Sequence, residues 1–497
     1  MPRRIENAWW DQLFAQSGAT GRPLQARLRE MVVAAVNEGW LPFDAPLPSS
    51  RELAQTLGVA RNTVLLAYQQ LVDEGFLESR ERSGYFVRAE ARPRQPVIDP
   101  PAGPSEAPPD WQQWLAVRPS AQRNLVKPAD WLKYPYPFLY GQFDPTLFPI
   151  NDWRECVRQA LSVLEIRGWA PDLVARDDPE LVEQIRTRLL PRRGIWVTAD
   201  EIMVTLGAQQ ALYLLAELLL RPGMPVGMEE PGYPDARNIF ALKGARLRPL
   251  SLDDSGVIPE AIPQDSRLLF LTPMRQCPTG ATLSLERRQR LLALAAAHDQ
   301  LIIEDDYESN FGFAMKQPPP TLRSLDRSGR VLYVGTLSKT LAPGLRLGYL
   351  VGPPELLQEA RALRRLMFRQ TPGNNQRAAA LFLALGHHDR LLRRFATVIG
   401  ERSTALRDAM ARHLPACAYN AGTGGTCFWV RGPDWLDSRV LAQRASSAGI
   451  LIEPGDVFFQ SAPPPLRYFR LGFASIPAER IEPGIRALAE HVPHARG

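Results

Sequence analysis

Lysine is scarce in this 497-residue chain. Only Lys127, Lys133, Lys243, Lys316 and Lys339 occur among 59 basic side chains, so 54 are arginine. The skew reads as a compositional bias of the whole chain, and it makes any lysine inside a motif conspicuous. Cysteine is scarce too: Cys156, Cys277, Cys417 and Cys427 lie far apart and form no CxxC pair. That spacing argues against a zinc site or a disulfide framework and fits a reducing cytoplasm; no metal is expected. Long apolar runs are missing as well. The most apolar stretch, ALYLLAELLL, is ten residues long and contains Glu217, too short and too polar to span a bilayer. MPRRIENAWWDQLF at the start has no continuous apolar core after its arginines, which excludes a signal peptide. What is present, 45 % hydrophobic and 23 % charged residues with a net charge of +6, is the composition of a soluble globular protein. The length calls for two to four domains.

The clearest punctuation is RPRQPVIDPPAGPSEAPPD, residues 92 to 110, with seven prolines. Proline locks φ and removes a donor, so this segment is neither helix nor sheet interior but a semi-extended spacer of roughly 3 Å per residue. The chain is therefore divided into a head over 10–90, a linker over 91–128 and a body over 129–497. In the head, Leu24–Glu38, Arg51–Leu57 and Asn62–Glu74 carry helical apolar periodicity, and LESRERSGYFV forms a polar hairpin with Ser83-Gly84 at its tip. In the body, strand-like runs (EIMVTLG, PVGMEE, RLLFLTP, LIIEDD, VLYVGT) alternate with helix-length patterns. That alternation predicts βαβ units and a mainly parallel sheet whose chemistry lies at the C-terminal strand ends.

In LPSSRELAQTLGVARNTVLLAYQQLVDEGFL, Ser49 and Glu52 form a capping box that opens one helix. Gly58 makes the tight turn to the next. Arg51 on the first helix, and Arg61, Asn62 and Thr63 in the opening turn of the second, can meet base edges and phosphates. Arg80, Arg82, Ser83 and Gly84 of the hairpin are placed for the flanking backbone or minor groove. LPSSReLA, LGVaRNTV, AYqqL, EGfL and SGyFV together resemble the winged helix-turn-helix of the GntR family of bacterial regulators. Ala60 stands where that family commonly has Ser or Thr. The missing cap costs about 1 kcal/mol, so the recognition helix is expected to rely on packing.

In the body, several stretches converge on one small molecule. A pyridoxal phosphate site needs a lysine amine, a carboxylate for the pyridine nitrogen, an aromatic face and a phosphate cradle. Lys339 follows the apolar strand VLYVGT; Thr336, Ser338 and Arg346 can hold the phosphate. LGAQQAL offers the backbone N–H groups of Gly207, Ala208 and Gln209 at a positive helix end. Asp305 in IIEDDYESNF is the pyridinium partner, with Glu304 and Asp306 pointing elsewhere and Tyr307 donating to the ring hydroxyl. Tyr233, between prolines, is placed for stacking, and Arg470 in YFRLGFA for a ligand carboxylate or sulfonate.

Taken in order, TLGAQQAL, EEPGYPDAR, TPMRQCPTG, EDDYESNF, GTLSKTLAPGLRLGY and RLGFA resemble the fold-type I aminotransferases. Joined to the GntR-type head, they make the whole chain resemble the MocR/GabR class of transcriptional regulators. QIRTRLLPRRG and LFLALGHHDRLLRR are similar to its ectoine- or taurine-utilisation branch. The resemblance implies an α+β head followed by an α/β body, with a large mainly parallel-sheet domain and a smaller C-terminal domain. It also implies a head-to-tail homodimer that binds an operator in double-stranded DNA. A small amine or amino-acid effector would displace Lys339 from an internal aldimine. Two departures stand out: Cys277 replaces the usual Asn before the Pro-Thr-Gly turn, and ARDDPELVEQI lacks the tyrosine lent across the dimer to the phosphate. A cytoplasmic cofactor-dependent regulator is the first reading. A working aminotransferase with a DNA-binding head is the alternative, and Cys277 argues against it. A body that has lost its cofactor is the third, opposed by the intact Lys339, Asp305, Tyr307 and Arg346.

Overall fold

The computed structural model describes residues 7–16, 23–41, 45–91, 109–142, 144–172, 176–308, 318–420 and 425–492. The greater part of the proline-rich segment, 92–108, lies outside the described residues. The chain divides into two compact units, Met1–Trp114 and Leu115–Gly497.

In the first unit, helices α1 (Asn7–Gln16), α2 (Leu24–Asn37), α3 (Ser50–Thr56) and α4 (Arg61–Asp73) precede the hairpin β1 (Leu77–Arg80) and β2 (Gly84–Val87). Leu28, Met31, Val32, Ala35 and Val36 recur at helical spacing on α2 and are buried, so one stripe meets the core. They pack with Trp10, Leu53, Val64, Tyr68, Leu71, Leu77 and Val87. Helix α1 carries the fully buried Trp10; its sequence pattern is too short to separate from an irregular terminus. Ser49 caps α3 reciprocally, accepting from Glu52 N at 3.2 Å and donating its own N–H to Glu52 Oε2 at 2.9 Å. Ala60 gives α4 no side-chain cap; its fully buried Val64 and Leu71 hold it instead. Gly84 pairs with Arg80 at the start of β2, so the hairpin tip is Glu81–Ser83 rather than Ser83-Gly84. Arg82 supplies the left-handed residue there, at φ 57°.

The second unit begins its strands with β3 (Tyr136–Pro137) and continues with β4 (Ile202–Thr205), β5 (Pro225–Glu230), β6 (Arg246–Asp253), β7 (Gly256–Val257), β8 (Leu268–Leu271), β9 (Leu301–Asp306), β10 (Val331–Thr336) and β11 (Gly348–Val351). Seven of these and β7 at the edge form one sheet in the order β4-β11-β10-β9-β8-β5-β6-β7. Strands β6, β5, β8, β9 and β10 are mutually parallel, and β11 and β7 pair antiparallel. The sheet is thus mixed but mostly parallel. Every residue of IMVT, LLFL and VLYVGT is buried, as sheets covered on both faces require.

A smaller antiparallel sheet joins β12 (Ala418–Asn420), β13 (Cys427–Arg431), β15 (Glu453–Pro454) and β16 (Tyr468–Gly472). Strand β14 (Ile450–Leu451) pairs with β3. Arg470 on β16 lies opposite Trp429 and Glu453. No helix among the described residues is long and apolar enough to cross a membrane.

Candidate functional site

Two adjacent parallel strands set up the site. β9 and β10 pair with Val334 opposite Asp305, so both chains end at the same edge of the sheet. Asp305 is delivered there by β9, and Thr336, Ser338 and Lys339 by the turn after β10. Together with Ala208, Gln209, Tyr233, Tyr307, Arg346 and Arg470 they line one cavity of about 270 Å³. Gly207 does not line it. It sits behind Ala208 at the start of helix Gly207–Leu219, and its φ of +75° makes the turn out of β4.

The three acids of β9 have separate fates. Asp306 accepts from Arg193 Nε and from the Tyr333 hydroxyl, both at 2.8 Å. Glu304 accepts from the backbone N–H groups of Leu322 and Arg323 at 2.9 and 2.8 Å. Of the three, Asp305 alone lines the cavity, and its Oδ1 is buried without a hydrogen-bond partner among the described residues. Burial, reinforced by the Asp306 charge and opposed by Lys339, pushes its carboxyl up to about 7. A buried acceptor left empty is costly unless a donor fills it, and a protonated ring nitrogen is such a donor.

Lys339 Nζ stands 4.5 Å from the Tyr140 ring centroid. Burial, then the neighbouring Lys127 cation, lowers its amine from 10.5 to about 8, which raises the fraction of neutral nucleophile near neutrality. On the other side, Arg346 adopts a left-handed backbone at φ 49° and donates from its guanidinium to Leu206 O at 3.0 Å. The same guanidinium would lie 2.8 Å from a Cβ at Gly207, so the missing side chain is what lets it reach the helix start. Thr336 Oγ1 donates to Leu347 O at 3.1 Å and accepts from Ser338 N at 3.1 Å. The result is a cationic and hydroxyl-lined recess at a positive helix end.

Tyr307 meets Tyr140 edge-on at 6.4 Å, and burial raises its hydroxyl well above the usual range. Tyr233 donates to Asp235 Oδ2 at 2.9 Å. Cys277 lines the cavity too; burial pushes its thiol up to about 12, so it stays neutral. Arg470 is not a bare clamp, because its Nε donates to the buried Glu453 at 2.7 Å. Sequence reasoning missed Glu453 and also Lys127, Tyr140 and Phe458 in the cavity wall. The one available signal was Lys127's membership of a set of five.

In the first unit Arg51, Arg61, Asn62, Arg80, Arg82, Ser83 and Gly84 are exposed and Thr63 is half-buried. Arg61 and Asn62 open α4 on its solvent side. Arg80 lies along the hairpin, bonded to Glu78 at 2.6 Å and over the Phe86 ring.

Residues 24–87 match the family of bacterial regulatory proteins, gntR family, and residues 147–488 match aminotransferase class I and II. The chain belongs to the MocR-type transcriptional regulators, in which a gntR-family DNA-binding head is followed by an aminotransferase class I and II body. Over 479 residues, 96 % of this chain and 98 % of the other, it is 42 % identical to the HTH-type transcriptional regulator TauR of Rhodobacter capsulatus. That likeness supports the taurine side of the branch placement. The probable rhizopine catabolism regulatory protein MocR of Rhizobium meliloti is 32 % identical over 480 residues, 94 % of this chain and 93 % of its own. Among solved structures, LysN, the α-aminoadipate aminotransferase of Thermus thermophilus complexed with N-(5'-phosphopyridoxyl)-L-leucine, superposes with a TM-score of 0.69 at 27 % identity. The match covers 77 % of this chain and 97 % of LysN. Pyrococcus horikoshii kynurenine aminotransferase, in complex with PMP, gives 0.70 at 26 % identity over 77 % and 97 %.

Proposed function

We propose that the body binds pyridoxal 5'-phosphate and that the protein is a DNA-binding regulator whose affinity for its operator responds to a small amine or amino-acid effector. One observation carries the reading: the Lys339 amine shares a cavity with the unpartnered buried oxygen of Asp305. When bound, pyridoxal phosphate supplies an aldehyde that condenses reversibly with amines. Lys339 holds it through Nζ, and an effector amine competes for that position. Asp305 keeps the ring nitrogen protonated, and Tyr307 donates to the ring hydroxyl. Tyr233 covers a ring face. Thr336, Ser338, Arg346 and the N–H groups of Ala208 and Gln209 hold the phosphate, with Gly207 keeping room for Arg346. Arg470 faces the effector's carboxylate or sulfonate. Cys277, a neutral thiol and a weak donor, is a poor substitute for an amide, which disfavours turnover as an aminotransferase.

Exposed Val163, Leu164 and Leu366 (73, 77 and 84 %) support a homodimer, read as head-to-tail. A DNA operator as partner supports a cytoplasmic protein. Borohydride reduction of the purified protein is expected to fix the cofactor to a single peptide containing Lys339, identified by mass. A different labelled lysine, or none, sinks the assignment.

At the head, Arg51, Arg61, Asn62 and Thr63 meet the major groove, and Arg80, Arg82, Ser83 and Gly84 the flanking backbone. Each side chain reading a base edge is worth about 1–3 kcal/mol of discrimination. Asn62→Ala is therefore expected to lower operator affinity by about tenfold or more while leaving binding to unrelated DNA nearly unchanged. Arg82→Ala should weaken both alike and flatten the salt dependence. Mobility shifts at two salt concentrations distinguish the pair, and equal losses for both variants would refute the division.

A further inference from the structure

We propose that Lys127 determines effector specificity by receiving, with Arg470, the effector's acid group. The inference rests on the effector reading of the cavity and adds a residue to it. Lys127 belongs to a stretch that the sequence presents as spacer, yet residues 122–127 are tied to the body. Gln122 Nε2 donates to Asn238 O at 3.0 Å, Arg123 to Phe459 O at 2.6 Å, and Asn124 Nδ2 to Asp235 Oδ1 at 2.6 Å. Leu125 packs against the cluster of Cys277, Trp429, Phe458 and Phe459. This anchoring fixes Lys127 in the cavity wall, where its Nζ also donates to the Tyr140 carbonyl.

Glu453 is the carboxylate that both cations share: Arg470 Nε lies 2.7 Å from Oε2, and Lys127 Nζ 3.2 Å from Oε1. Glu453 is nearly fully buried, and at this carboxylate two cations, Arg470 and Lys127, meet one negative charge. The Lys127 side chain is 24 % exposed, so its ammonium stays open to an entering anion, with which a charge-assisted hydrogen bond can form. The place is also right. A point beside Gly141 lies 2.8 Å from Lys339 Nζ and 3.7 Å from Lys127 Nζ, so the two nitrogens are at most 6.5 Å apart. Arg470 Cζ and Lys339 Nζ share the Tyr140 ring at 4.1 and 4.5 Å from its centroid. A short-chain amine seated at Lys339 therefore brings a terminal carboxylate or sulfonate to Lys127 and Arg470. The ligand class is an amine bearing an acid group a few bonds away, not a plain amine.

The test is calorimetric titration of cofactor-loaded, full-length wild type, Lys127→Met and Lys127→Arg with 2-aminoethanesulfonate, 3-aminopropanoate and propylamine. Visible absorbance of the cofactor confirms folding and loading of each variant. Lys127→Met is expected to bind the two acids about tenfold or more weaker, the worth of a charge-assisted hydrogen bond, and propylamine within about twofold of wild type. Lys127→Arg is expected to recover most of the loss, which a merely structural tie to Glu453 does not require. Equal weakening of all three probes, or acids bound as tightly as by wild type, overturns the role of Lys127 and leaves the effector reading intact. Wild type that binds the acids no better than propylamine overturns both.

Discussion

A Lys339→Ala protein is expected to lose the visible absorbance of bound cofactor and every effector-dependent change in operator affinity, while its head still binds DNA. Allosteric couplings of this kind are typically about 5–150-fold; in the variant the ratio of affinities with and without effector falls to one. The reason is local. Lys339 is delivered by the turn after β10 into the cavity shared with Asp305, and the other lysine of the wall among the described residues, Lys127, is engaged by Tyr140 and Glu453. An effector can bias the protein only through its differential affinity for two states, and without Lys339 the amine has no position to win. The head's core, built on Trp10, Val64, Tyr68 and Leu71, contains nothing from the cavity and so keeps its fold. Mobility shifts with and without 2-aminoethanesulfonate and 3-aminopropanoate read the outcome. An effector response that survives the substitution would end the sensing reading.

The second large effect is expected at Gly348. A Cβ placed there would lie 2.6 Å from Gly207 C, 2.8 Å from Gly207 Cα and 2.9 Å from Ala208 N. All three are backbone atoms, which cannot swing aside as a side-chain tip can. Gly348 also pairs with Thr205 across β11 and β4, so the clash pries that pair apart where the chain turns into helix Gly207–Leu219. Overpacking of this kind costs about 1–3 kcal/mol, and it displaces the N–H groups of Ala208 and Gln209 from the phosphate recess. Gly348→Ala should melt several degrees lower and bind pyridoxal phosphate at least about tenfold more weakly. Gly344→Ala, with open space around its Cβ, is the matched control and should change neither. Equal melting of the two variants would show that the close approach is unimportant.

Much of this architecture is legible in one dimension because its signals are local. VLYVGT and LIIEDD are short apolar runs ended by chemistry, so the strands and the edge at which Lys339 and Asp305 emerge follow from period and composition. Ser49 and Glu52 announce a helix start at a fixed spacing of three. Other features depend on contacts between distant segments and leave no such trace. Arg470 reads as a free clamp until β15 places Glu453 beside it. The stretch 122–127 reads as spacer by its neighbours' prolines, yet its position comes from Asn238, Asp235 and Phe459, more than a hundred residues away. Gly207 reads as a phosphate contact; what its absent side chain leaves open to Arg346 appears only in three dimensions.

The arginine bias of the cavity has a chemical consequence of its own. Of the four cations that described residues bring to its wall, Arg346 and Arg470 are guanidinium groups and Lys127 and Lys339 are amines. A guanidinium stays protonated at any physiological pH and so carries charge without acting as a nucleophile toward an aldehyde. Positive potential and reactivity are thereby separated: the arginines attract anions without competing for the aldehyde, and reaction is left to one amine. Among the described residues Lys127 is the single rival in the wall, and its hydrogen bond to the Tyr140 carbonyl and ion pair with Glu453 act as a protecting group that keeps the aldehyde's address unambiguous.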